Sequence, residues 1–389
     1  MLSLFTDRLR IAVILCGICG FLDLWATQAL LPFLADELHA SALAVSFTVS
    51  MPPLAIVLVA PWTGIIADVF GRKSVIVAAM FAMVVPTVMV GLSTSLGAII
   101  FWRFVQGFFV PPIFATTVAY VADEAAPGEA TSVTGVYTAA SVFGGFLSRF
   151  LSALFAEDFG WRNAFLGLGA ITLALAIGTL FIMPRERGFH RSSSLVSSAQ
   201  EMLQHFRDSR LVATYSVGFC VLFTISTIFT FVGFHLAAQP YELSTAAIGS
   251  LFLSYLAGVV TTPLIGRGVA SLGRSRMVTF ALSGWGIGIA MTLLPSVVAV
   301  VAGLVLAAAF CFVCQGASTS YVALTATRGR SSAVGLYVTA YYLGGSAGGP
   351  VAGLAWEWGG WPACVACALA VLGAVALIVR RYWVEPNAA

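Results

Sequence analysis

This 389-residue sequence is short of charge. Lysine and arginine number 19 and aspartate and glutamate 16, together 9% of the chain, while 60% is apolar. Soluble domains carry about 25% charged residues, so this chain cannot cover a water-facing surface and a soluble globule is excluded. Other chemistries lack their residues too. Histidine occurs only four times, and no cysteine has a histidine or acidic ligand set near it. The three C-x-x-C pairs, Cys16 with Cys19, Cys311 with Cys314 and Cys364 with Cys367, fall inside apolar runs, where a spacing of three puts two small residues on one helix face. Neither a metal nor a cofactor is expected. No G-x4-G-K-[ST] loop is present, which removes the usual sign of ATP drive. The net charge of +3 is scattered over separate loops, so no nucleic-acid surface is expected.

What is present is a series of apolar runs of about 20 residues, each long enough to cross a ~30 Å hydrocarbon core as a helix. Twelve spans are predicted, over 9–34, 44–66, 74–93, 97–121, 131–155, 163–183, 211–237, 245–268, 276–295, 297–323, 332–355 and 361–380. The first is too long for the apolar part of a cleaved signal and is expected to stay in the mature chain. One connection is long: residues 184–210 are polar, serine-rich and basic, with a short amphipathic helix expected over 199–207. It divides the sequence into 1–183 and 211–389, six spans each. With the N-terminus inside the cell, sixteen basic residues fall on the inner side and Arg162 alone on the outer side, so both termini are expected in the cytoplasm. The remaining two, Arg103 and Arg149, lie within spans.

The halves repeat. A shift of 200 lays residues 132–161 over 332–361 with ten of thirty positions identical: Ser132, Gly135, Tyr137, Ala140, Gly144, Gly145, Leu154, Glu157, Gly160 and Trp161 recur. The shift carries span 5 onto span 11, so the halves share one topology, related by an axis along the membrane normal. Duplicated six-span units belong to transporters more than to receptors or enzymes.

Three strings carry mechanism. The loop after span 2 reads GIIADVFGRK, with Gly64, Asp68, Gly71, Arg72 and Lys73. Glycine permits close helix approach and a tight turn, and the charges suit a cytoplasmic gate that latches in one state. Span 4 holds RFVQG, with Arg103, Gln106 and Gly107; an arginine this deep is costly unless it faces the protein interior. Span 1 holds LDLWATQALLP, with Asp23 and Gln28. Asp23 is the one deeply buried carboxylate of any span, and such a group is stable only when paired or protonated, which makes it a candidate proton carrier. Asp23 is expected to alternate between an arginine-paired carboxylate and a protonated acid. The second half has no buried carboxylate, and its matching loop, residues 266–275, has Ala270 where Asp68 stands, so a carboxylate latch is expected on one side only.

The loop resembles the major facilitator superfamily signature G-x-x-x-D-R-x-G-R-[RK], with Val69 departing at the usual arginine. RFVQG resembles the R-x-x-Q-G string of the proton-coupled antiporters of that superfamily. The span 1 string resembles LD-x-T-x-x-N-x-ALP of proton-driven drug exporters, with Gln28 for the asparagine and Leu30 for the alanine. Span 5 begins like the antiporter motif G-x8-G-x3-G-P-x2-G-G with Gly135 and Gly144, then departs to Ser148 and Arg149; the glycine-proline core stands in span 11 as Gly345, Gly349, Pro350 and Gly353. Gly144, Gly145, Arg149, Trp161 and Arg162 are more similar to the arabinose-efflux-like permeases. The resemblance implies an all-α fold of twelve transmembrane helices in two pseudo-symmetric six-helix bundles. It implies a monomeric secondary transporter in a bacterial inner membrane, whose partners are the lipid bilayer, protons and a small-molecule substrate. Glycines 107, 135, 144, 145, 345, 349 and 353 would pack helices, and Gln28, Gln106, Arg149, Tyr255, Tyr337 and Tyr341 would line a substrate cavity. Proton-coupled export of a small organic compound leads. Uptake of a sugar, organic acid or amino acid by symport or facilitation is the alternative, with a non-transporting sensor behind it. An enzyme would need paired acids or a nucleophile and base at one depth, which are absent.

Overall fold

The computed structural model describes residues 2–126, 128–186, 205–261, 273–326 and 330–383, and these are helical, with no strand among them. In chain order the helices are α1 (Leu2–Leu22), α2 (Leu31–Glu37), α3 (Ala42–Phe70), α4 (Arg72–Gly91), α5 (Leu96–Glu124), α6 (Ala130–Phe159), α7 (Trp161–Ile182), α8 (Ser209–Ala237), α9 (Thr245–Ser250), α10 (Leu256–Thr261), α11 (Arg274–Met291), α12 (Val297–Thr325) and α13 (Arg330–Tyr382). Eight of them are long and apolar enough to cross a membrane: α3 to α8, α12 and α13. Helix α13 is two passes, because Gly359 and Gly360 leave helical geometry in its middle. The other three predicted spans are α1 with α2, α9 with α10, and α11, whose first turn carries Arg274 and Arg276.

Local rules place the helix starts. Ser95 caps α5 by accepting from the Ala98 N–H at 3.3 Å, and Asp208 caps α8 by accepting from the Arg210 N–H at 2.8 Å. Gly71 (φ 85°) and Gly273 (φ 76°) open α4 and α11 in a conformation that only glycine adopts without strain. Gly160 (φ 80°) and Gly360 (φ 62°) do the same at the turns before Trp161 and Trp361. Both pairs sit about 200 residues apart, so the repeat in the sequence is a repeat of turns.

By contacts the chain forms two compact units. One is Met1–Ala40, Phe47–Ser193 and Ser244–Ser250; the other is Ser41–Ser46, Ser194–Leu243 and Leu251–Ala389, counting only described residues within those bounds. In the first, α1 packs on α6 and α4 packs between α5 and α7; in the second, α8 packs on α13 and α11 on α12. Glycine makes the closest approaches. A Cβ on Gly144 would stand 2.6 Å from the Ile18 carbonyl oxygen, and one on Gly344 would clash with that of Phe219. The two glycines are equivalents under the 200-residue shift, and the residues they meet, Ile18 and Phe219, correspond to within one position.

Span 1 departs from the sequence expectation. It is not one helix over 9–34: α1 ends at Leu22, residues 23–27 form turns, and a 3₁₀ turn Gln28–Leu30 leads into α2. The turns are held by short bonds from Gln28 N–H to Trp25 carbonyl (2.9 Å) and Leu30 N–H to Thr27 carbonyl (3.0 Å). Pro32 stands in the first turn of α2 and cannot donate to the Gln28 carbonyl, but residues 23–27 themselves carry neither glycine nor proline.

Candidate functional site

Main-chain carbonyls freed inside a membrane must find donors. Where α1 stops, Asp23 and Leu24 carbonyls lose regular helix partners. Pro52 has no N–H, so the Thr48 carbonyl four residues earlier in α3 is also left open. Arg103 of α5, fully buried, meets all three: Nη1 donates to the Asp23 carbonyl (2.5 Å), Nη2 to the Leu24 carbonyl, and Nε to the Thr48 carbonyl (2.9 Å). Its Nη1 also donates to Gln106 Oε1 (2.6 Å), and Gln106 Nε2 donates to Thr87 Oγ1 of α4 (2.8 Å). The R-x-x-Q spacing thus puts the glutamine one turn on, where it fixes the guanidinium. Gly107 beside them lets α5 reach α3: a Cβ there would lie 2.3 Å from the Pro52 carbonyl oxygen.

Asp23 is completely buried. Arg103 touches its main chain, and the carboxyl group is held instead by Thr172 of α7, whose hydroxyl donates to Oδ2 at 2.8 Å. Oδ1 has no hydrogen-bond partner among the described residues. No ion pair between this carboxylate and an arginine occurs among them: in this state the guanidinium meets carbonyls that the broken helix and Pro52 release.

Five residues along, Gln28 Oε1 accepts from Arg149 Nε (2.6 Å), and Arg149 Nη1 donates to the Gly145 carbonyl of its own helix (2.5 Å). The guanidinium lies 5.1 Å from the centre of the Trp25 ring, a cation–π contact. Asp23, Gln28, Arg103, Gln106 and Arg149 therefore gather around one feature of the first unit, the break in span 1.

The tyrosines belong to the second unit. Tyr255 lies among Phe229 (4.6 Å between ring centres), Phe252 and Phe312. Tyr337 shares a 3.1 Å hydrogen bond with Ser318 and stacks on Tyr341. Of the packing residues, Gly345 approaches Leu222 and Gly353 approaches Leu43, Gly349 is buried near Pro350, and Gly145 lies by Arg149. Gly135 and Gly64 face open space.

At the α3–α4 turn, Arg72 forms an ion pair with Asp123 of α5 and donates to the Ala119 carbonyl (2.6 Å). The Lys73 N–H donates to Glu186 (2.5 Å) and its Nζ to the Met183 carbonyl (2.5 Å). Asp68 lines a shallow recess of about 60 Å³ with Thr63, Arg72 and Thr116. In the second unit Arg274 repeats the geometry, donating to the Ala317 carbonyl (3.1 Å) and Ser320 Oγ (2.9 Å), but with the Tyr321 ring 5.4 Å away where Asp123 would be. Residues 266–272, with Gly266 and Ala270, and the helix expected over 199–207 as far as 204, lie outside the described residues.

The family model of the Major Facilitator Superfamily matches residues 13–267 and again 215–389. The chain belongs to the Major Facilitator Superfamily. The inner membrane transport protein YnfM of Escherichia coli K12 is 30% identical to it over 375 residues, 96% of this chain and 89% of YnfM. Among solved structures, the nucleoside transporter NupG superposes with a TM-score of 0.77 at 14% identity, covering 97% of this chain and 98% of its own. A bacterial homologue of the human lysosomal transporter Spinster does so at 0.75 and 17% identity, covering 97% of both. At such identities the likeness is one of fold: the all-α superfamily fold of twelve transmembrane helices in two pseudo-symmetric six-helix bundles. The protein is a membrane transporter and not an enzyme.

Within this superfamily member, five contributors are not marked in the sequence. Thr48 meets Arg103 through its carbonyl, Thr87 and Thr172 read as ordinary helical threonines, and Asp123 and Glu186 read as boundary charges. One signal was available: Pro52 stands four residues after Thr48 and frees an acceptor at the depth of Arg103.

Proposed function

We propose that this transporter exports a small organic compound, drug-like, amphipathic or sugar, in exchange for protons, by alternating access of the halves 1–183 and 211–389 joined through 184–210. The carrying observation is the Asp23 carboxyl group, fully buried at a helix break with one oxygen free of hydrogen bonds among the described residues. A carboxyl group in that setting can take up and release a proton without breaking a contact. Kinship with YnfM, an inner membrane protein, and the sixteen-to-one bias of basic residues support placement in a bacterial inner membrane with both termini in the cytoplasm; the working unit is a monomer. Gly64, Asp68, Gly71, Arg72 and Lys73 serve as the cytoplasmic gate, and Gln28, Arg149 and the tyrosines line the route of the substrate.

Purified protein in liposomes tests this reading. A thermal-shift screen of dyes, antibiotics, sugars and organic acids supplies the substrate. An imposed pH gradient then drives its accumulation in the wild type. In Asp23→Asn the gradient drives none, while counterflow exchange of the same substrate continues. Full gradient-driven accumulation by D23N would refute proton coupling at this residue.

A further inference from the structure

We infer that Thr172 of α7 is a positioning residue for proton coupling: its hydroxyl holds one oxygen of the Asp23 carboxyl group and so reserves the other for the proton. This rests on the reading of Asp23 as the proton carrier. A threonine within a helix ordinarily gives its hydroxyl proton to the carbonyl four residues before it. Thr87, Thr117 and Thr179 do so here, to Met83, Ile113 and Leu175. Thr172 departs from them. Although fully buried in α7, it turns its proton to Asp23 Oδ2, 149 positions away in sequence and 2.8 Å away in space.

The groups around the carboxyl leave this task to Thr172. From α5, Arg103 approaches, but its guanidinium is committed to the main chain of Asp23 and Leu24. From α4, Thr87 faces the same carboxyl, with its hydroxyl proton given to Met83. From α1 comes the thiol of Cys19; Arg149 of α6 is engaged elsewhere, with Gln28, Gly145 and the Trp25 ring. With Oδ2 held, Oδ1 is where an O–H bond can form. A hydronium ion arriving through water transfers its proton to Oδ1, leaving a water molecule and neutralising the carboxylate. Oδ2, now the carbonyl oxygen, still accepts from Thr172. Release reverses the transfer, and the hydrogen bond survives both directions.

The pH dependence of gradient-driven transport in liposomes tests the role. In Thr172→Val the ionised carboxylate loses a donor, so the pH midpoint of transport moves upward by about one unit, since a hydrogen bond to a charged group is of that size. Thr172→Ser restores the wild-type midpoint, which a purely steric role of the methyl group would not allow. Counterflow exchange reports that each variant is folded. Where the valine variant does not fold, Thr172→Cys, with its weaker donor, gives an intermediate midpoint. An unmoved midpoint in either, with D23N uncoupled, overturns this inference and leaves the proposed function standing. Gradient-driven transport by D23N overturns both.

Discussion

Arg103 illustrates what one residue can do in a medium without water. Its five N–H groups form a rigid fork, and three of its bonds go to main-chain carbonyls that neither α1 nor α3 can satisfy. The arginine therefore supplies the several donors that the break in span 1 requires, a need that a charge alone would not meet. Leaving buried acceptors unpaired costs about 1–3 kcal/mol each. Arg103→Ala is expected to lower stability by about 3 kcal/mol or more, read as a large drop in melting temperature of the detergent-solubilised protein. Arg103→Lys keeps the charge but offers a point donor in place of a fork, so it should recover less than half of that loss. A lysine variant as stable as the wild type would mean that charge, not the fork, holds the break.

Among elements, helix pairing follows glycine more than hydrophobicity, as expected where the surrounding lipid is as apolar as the side chains. Gly144 lets α6 meet α1 and Gly344 lets α13 meet α8, at equivalent places in the repeat. Gly344→Ala would drive a methyl group into the Phe219 carbonyl, and overpacking of this kind costs about 1–3 kcal/mol. Gly135→Ala, with nothing within 4 Å, should be neutral or slightly stabilising, since alanine is the better helix former. Thermal melts of the two variants side by side check this. Spans, turns and the glycine repeat were legible in the sequence because each depends on a local property: a run of apolar residues, a positive φ, a missing Cβ. The break at Asp23 was not, because residues 23–27 carry no glycine or proline and the donor that meets its carbonyls lies 80 positions away in Arg103. Asp23, Arg103 and Arg149 could be singled out as too polar for their depth, but which atom meets which partner is set by tertiary packing. Thus an arginine near Asp23 could be foreseen, but not that Arg103 would meet its carbonyl. Thr172, one of many hydroxyls in apolar helices, gave no sign at all.

For the whole molecule, the two units share turns and packing but not chemistry. The buried charged residues among those described, Asp23, Arg103, Glu124 and Arg149, all belong to the first unit, and Glu124 closes the end of α5; the buried polar groups of the second are hydroxyls and His205. The same asymmetry appears at the loops, where Arg72 meets the carboxylate of Asp123 and its counterpart Arg274 meets the ring of Tyr321. The scaffold is repeated in both halves, while the buried charges among the described residues lie in one. If coupling resides at a single carboxyl group, one transport cycle can move at most one proton. With an uncharged substrate, exchange then carries one net charge, so the membrane potential and the pH gradient must drive it equally. Opposing a known substrate gradient with a fixed proton-motive force in liposomes until net substrate flux vanishes gives the stoichiometry, and a balance at one proton per substrate is expected. A balance at two would require a second titrating carboxyl group, and Asp23 would then be only part of the coupling machinery.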